Sequence, residues 1–149
     1  MKLQLAVSEE RQEALAEALL RAGFELDDGA DLVLLEKDRF LRHIAVRDAA
    51  GNRLHLAVEE IVFIESFGHS VVVHGADGVY QTADRLYQLC LLLDPEQFLL
   101  ISNSVIIQRR QVKKILPSLS MKFILVMADG SKVDVTRSYY NSFKAFFGI

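Results

Sequence analysis

From Arg42 onward, apolar residues come in short runs separated by turn-forming residues. "RHIAVRD" and "NRLHLAV" flank "AAG", "IVFIES" and "SVVVHG" flank "FGH", and "VYQT" follows "ADG". Apolar and polar positions alternating with period two, bounded by Gly, Asn and Asp, predict antiparallel strands joined by tight hairpins. In "RLYQLCLLL" the period becomes helical, predicting a helix from about Asp84 to Leu93 with Leu86, Leu89, Cys90 and Leu93 inward; Pro95 stops it. "QFLLI", "VIIQ" and "VKKIL", ended by Pro117, read as further strands, and "KFILVM" and "KVDVT" flank a second turn, "ADGS". The tail "SYYNSFKAFFGI" predicts an amphipathic helix that packs Tyr139 or Tyr140, Phe143, and Phe146 or Phe147, with Gly148 as its stop signal.

The first 38 residues have a different texture. "KLQLAV" reads as a strand, Ser8 as an N-cap, and Arg11 to Ala22 as a helix with Leu15, Ala18, Leu19 and Ala22 on one face. Gly23 ends that helix, "ELDDGA" reads as an acidic turn, and "ADLVLLEKD" as a buried strand. The expected class is therefore mainly β with short helices, in small antiparallel sheets, preceded by a small β-α-β segment. Residues 1–40 form one segment and 41–149 the other, with the junction at "KDRFL".

A chain of 149 residues, 51% of them hydrophobic, can build one compact domain with a small appendage and needs no disulfide or metal. Its single cysteine, Cys90, falls in the helical apolar pattern and reads as a core thiol. The opening "MKLQLAVSEERQ" is too short for a secretory h-region, and no apolar run approaches a membrane span, so a cytoplasmic protein is expected. Net charge is only −3, which alone argues against a polyanion partner. Its distribution points the other way: residues 1–38 hold 4 basic and 10 acidic side chains, whereas residues 97–149 hold 8 basic and 2 acidic. The basic end suits a polyanion and the acidic end would stay away from it.

Catalytic chemistry finds no support. His69 and His74 point to different faces of a strand, and His43 and His55 on facing strands have no identifiable third ligand. There is no phosphate-cradling glycine motif, no "HExxH" and no "GxSxG", so no enzyme activity, metal or cofactor is expected. What remains is a set of polar residues where strands stop: His69 in "FGHS", Asn103 in "SNS" and Arg137 in "VTRS". Asn can pair bidentately with adenine and Arg with guanine in a major groove, and His can bond a base edge less selectively. Ser102, Ser104, Arg109, Lys113, Lys114 and Lys122 suit phosphate oxygens. Each also has a bland reading: Asn103 and Ser104 can cap their own turn, Arg137 can pair with Asp134 or cap a helix, and His69 can be an ordinary exposed turn residue.

At these residues the sequence resembles the LytTR family of bacterial DNA-binding domains. The resemblance runs from about Arg42 to Ile149 through "EEIVFIES", "GHSVVVH", "DGVYQT", "FLLISNSVII", "VKKI" and "ADGSKVDVTRSYYNSFK". It implies a mostly β fold whose loops enter successive major grooves of repeated promoter sites and bend the DNA. Carried over by motif, it implies base contacts at His69, Asn103 and Arg137. Many members have an arginine three residues before Asn103, where this chain has Leu100.

Many members also carry a receiver domain in front, which about forty residues cannot form; "DLVLLEKD" has Glu36 where a phosphorylated aspartate would stand. By analogy, the resemblance implies a stand-alone regulator of double-stranded promoter DNA, acting as a homodimer, with a neighbouring membrane protein as its inhibitor. The N-terminal segment is then the candidate for dimerisation or for that partner, and equally for a structural cap over the first hairpin. The rival from another class is a protein-interaction or ligand-sensing module that kept the fold without DNA binding.

Overall fold

The computed structural model describes residues 1–36 and 40–149, which form two compact units, Met1–Phe40 and Leu41–Ile149. The junction read at "KDRFL" lies in part outside the described residues.

The first unit contains β1 (Lys2–Ala6), α1 (Glu9–Arg21), β2 (Glu25–Leu26) and β3 (Leu32–Leu35), with β1 central and both neighbours parallel to it. The reading of "ELDDGA" as turn alone is corrected, because its first two residues pair beside Lys2 and Leu3. Ser8 occupies the N-cap of α1 but makes no side-chain cap; its N–H and hydroxyl both donate to Glu36 Oε1, at 2.6 and 2.8 Å. Among the described residues of this unit Val7 is the one buried hydrophobic, and Leu20 and Leu32 are 58% and 49% exposed.

The second unit is built from two antiparallel sheets. The larger comprises β4 (His43–Arg47), β5 (Arg53–Ala57), β6 (Ile61–Phe67), β7 (Ser70–Gly75), β8 (Val79–Thr82), β9 (Phe98–Ser102) and β10 (Val105–Gln108), in the order β5-β4-β8-β7-β6-β10-β9. The smaller is β11 (Val112–Ser118), β12 (Lys122–Met127) and β13 (Lys132–Val135), in chain order. Turn chemistry explains the hairpins: Gly130 takes φ +86 between β12 and β13, which an L side chain rarely adopts.

Alternation along β10, and along β6 apart from an irregularity between Ile61 and Phe63, sends their side chains into two cores. On one side Ile61, Ile64 and Ile106 pack with Leu89 and Leu93 of α2 (Leu86–Leu92) and its C-cap. On the other, Phe63 and Ile107 meet Leu125, Met127 and Phe143, the last from α3 (Tyr140–Phe147). The second core ties the smaller sheet and the last helix to the end of the larger sheet.

The predicted α2 face needs correction. Cys90 is exposed, while Leu89 is fully buried and Leu86 packs against the core. Burial around the Cys90 sulfur still pushes its pKa up. His74 is also placed by packing: its ring stacks on Phe63 at 4.0 Å and its Nε2 lies 2.7 Å from Glu65 Oε1. His43 pairs with Ala57 and His55 with Ala45, so the two histidines are not direct cross-strand partners.

Candidate nucleic-acid interface

Three strand ends converge at one edge of the second unit. The β6–β7 hairpin turns through Gly68 and His69, with Gly68 at φ +57. A positive φ at the first central position is what a type II′ hairpin turn requires. The β9–β10 hairpin turns through Asn103 and Ser104, between paired Ser102 and Val105. The third end is the join of β13 to α3, a 3-10 turn over Arg137–Tyr139.

Hydrogen bonds fasten these ends together. Ser66 N–H donates to the Ser104 carbonyl at 2.9 Å, joining the first two hairpins, and Thr136 N–H donates to the Ile101 carbonyl at 3.0 Å, joining the last turn to β9. Tyr139 Oη donates to Asn103 Oδ1 at 2.9 Å. This fixes the amide while leaving its NH2 group and one Oδ1 lone pair for another partner. His69, Asn103 and Arg137 are all exposed, and His69 and Asn103 line one depression of about 410 Å³ together with Arg85 and Leu100.

The three polar residues of "SNS" divide their work. Ser102 is 8% exposed, and its Oγ accepts from Ser104 N–H at 3.2 Å and lies 3.4 Å from Ser104 Oγ. A strand therefore tolerates Ser102 because its hydroxyl supplies the turn with an acceptor. Asn103 points out, held by a tyrosine 36 residues away.

Other polar candidates separate into two places. Ser104 is in the turn itself, and Lys122 lies one residue beyond the Phe123–Val135 pair, level with Thr136 beside Arg137. Arg109 follows the far end of β10, roughly 13 Å along the strand from the Asn103 turn. Its guanidinium lies over the rings of Phe146 and Phe147, at 5.2 and 5.7 Å, so its side chain is occupied in packing the last helix. Lys113 is the extra residue of a bulge between the Val112–Met127 and Lys114–Val126 pairs, and both lysines are exposed at that far end.

Two residues escaped the sequence reading. Tyr139 or Tyr140 was expected as a core aromatic; both pack partly against the second core, but the Tyr139 hydroxyl serves Asn103. Tyr140 is the ring that stacks on Phe123, at 5.0 Å. Arg85, at the N-cap of α2, comes to the His69–Asn103 depression only through the packing of that helix. Among the described residues no three His, Cys, Asp or Glu side chains gather as a metal site, and no helix is long and apolar enough to cross a membrane.

One sheet edge thus carries exposed Asn103, His69 and Arg137 on tied-down turns, with Lys122 beside them. Residues 51–148 match the LytTr DNA-binding domain family, and the chain belongs to that family. It is similar to the transcriptional regulatory protein LytR of Staphylococcus aureus strains N315 and NCTC 8325 / PS 47, at 24% identity over 99 residues in each case. That match spans 66% of this chain and 40% of either relative, so the chain covers less than half of their length. In fold it is similar to the LytTr DNA-binding domain of a putative methyl-accepting/DNA response regulator from Bacillus cereus, with a TM-score of 0.69 and 20% identity, over 73% of this chain and 99% of that one. The expected mainly β architecture of small antiparallel sheets is thereby borne out.

Proposed function

We propose that the protein is a sequence-specific bacterial transcriptional regulator that binds repeated promoter half-sites in double-stranded DNA. His69, Asn103 and Arg137 read base edges in the major groove. Ser104 and Lys122 hold phosphates beside them, and Lys113 and Lys114 meet the backbone farther along. Ser102 serves this contact by holding its turn, and Arg109 contributes positive charge from its place over the aromatic rings. Arg85 adds a cation in the depression where Leu100 offers none.

The observation that carries this reading is the bond from Tyr139 to Asn103. It orients an exposed amide from a separate element, which a residue that merely capped its own turn would not need. A DNA-binding domain in this family and a net basic C-terminal third support the same conclusion.

The N-terminal unit is assigned to dimerisation. Val7 is the one buried hydrophobic among its described residues, at a size where small domains need a partner. A homodimer matches two half-sites with two reading edges. An inhibitory membrane protein as a second partner of this unit, and a cytoplasmic location, complete the proposal by analogy with short regulators of the family.

Selection of bound sequences from sheared genomic DNA tests the function. Enrichment of spaced repeats supports it. A uniform pool at low salt refutes it and favours an interaction module.

A further inference from the structure

At its β5-β4-β8 end, beyond the second core, the larger sheet exposes a charge arrangement that the reading edge does not use. Arg47 on β4 and Arg53 on β5 are direct cross-strand partners, and both are exposed. Like charges placed directly opposite on one face repel and weaken the pair. His55 follows on the same face of β5, opposite Ala45, and Gln81 stands opposite Arg47 on β8. These side chains, with Thr82, line a depression of about 610 Å³.

No carboxylate relieves the repulsion among the described residues. Asp48 follows Arg47 directly, but its Oδ1 accepts from the N–H groups of Asn52 and Ala50, at 2.9 and 3.0 Å. Those bonds, Asn52's backbone N–H first, hold its carboxyl below the usual carboxylate range and commit it to its own turn. Glu65 stands on the same face in the row that runs Arg47–Gln81–Val72–Glu65, and it is bonded to His74.

We propose that Arg47, Arg53 and His55 form a second anion site that takes the phosphates of one DNA strand flanking the groove entered by the His69 turn. The inference rests on the DNA-binding reading above. Position favours nucleic acid over a protein partner. In the strand order, β4 and β5 stand two and three strands from β7, roughly 10 and 14 Å to the side of the turn. A major groove is about 12 Å wide, so the phosphate backbone begins roughly 6 Å to the side of a turn seated in it and continues outward toward β4 and β5. The arginine row lies two residues below Ser70 along β7, roughly 7 Å, a span that an arginine side chain covers.

The test compares wild type with the double variant Arg47→Gln, Arg53→Gln on two duplexes carrying the selected half-site. One duplex ends at the selected base pairs and the other extends six base pairs beyond. On the long duplex the variant should bind several-fold more weakly, and its salt slope should flatten by about 1.8, at about 0.9 per phosphate contact. On the short duplex it should match wild type. Its melting temperature should equal or exceed that of wild type, because the repulsion is gone. Equal affinity and equal slope on the long duplex overturn the second site and leave the DNA-binding reading standing. A variant with unchanged DNA binding but altered mass by light scattering overturns it in favour of a protein contact. Wild type that binds neither duplex overturns the reading and this site together.

Discussion

Replacing Tyr139 with Phe removes one oxygen from the reading edge and leaves the ring that packs against the second core. Oη donates to Asn103 Oδ1 at 2.9 Å in an exposed setting, so the bond is an ordinary neutral one, and its loss costs roughly 0.5–1.5 kcal/mol where it matters. Under the account it matters in the complex, where a free amide must give up rotational freedom to meet a base. Tyr139→Phe should therefore weaken specific binding roughly 2- to 10-fold and change nonspecific binding little. Asn103→Ala should cost roughly 1–3 kcal/mol on the selected site, because the base contact itself is gone. The decisive quantity is the coupling. If Tyr139 acts only through Asn103, the double variant should bind like Asn103→Ala alone. Fluorescence anisotropy on wild type and the three variants completes the cycle, with melting temperatures as a fold control. Additive losses, or a Tyr139→Phe protein that binds like wild type, would show that the bond plays no part in recognition.

Arg137→Ala should cost roughly 1–3 kcal/mol on the selected duplex and relax base preference at one position, whereas Lys113→Ala or Lys114→Ala should weaken all duplexes alike and flatten the salt slope by about 1; titration across a salt series separates the two. Ser102→Ala leaves Ser104 N–H without its acceptor in a half-buried turn and should lower stability by roughly 0.5–1.5 kcal/mol, read by denaturant unfolding. Met121 sits at φ +57 in the turn between β11 and β12 with 44% of its surface exposed, so Met121→Gly should stabilise by roughly 1 kcal/mol and raise the melting temperature. Cys90 is exposed with a raised pKa, so at pH 8 less of it is thiolate than in the unfolded chain; iodoacetamide should label the folded protein more slowly and need higher pH to match.

Sequence legibility followed the range of the interactions. Hairpins at "AAG", "FGH" and the second "ADG" were readable because Gly and Asp set turn geometry within a few residues. Leu86, Leu89 and Leu93 face inward as expected, and the face of α2 was misjudged at Cys90 alone, because a helix of seven residues makes only two turns and its buried stripe is too narrow to take both Leu89 and its neighbour. "EL" was missed as a strand because its two residues owe their pairing to β1 rather than to any pattern of their own. The candidate site was legible as residue types at strand ends. Its construction was not: Tyr139 meets Asn103 across 36 residues, and Arg85 reaches the depression through tertiary packing. Ser102 looked like a surface contact in the sequence, and the β9–β10 register with its bulge is what turned it inward.

Whether turn residues on one sheet edge read DNA sequence is tested by the ratio of affinities for the selected duplex and a scrambled duplex of equal length at physiological salt. Wild type should prefer the selected duplex by at least about a thousandfold, and Asn103→Ala and Arg137→Ala together should remove most of that ratio while leaving scrambled binding near its original value. A wild-type ratio near one, or a full ratio retained in the double variant with its fold intact, contradicts that role for the turns.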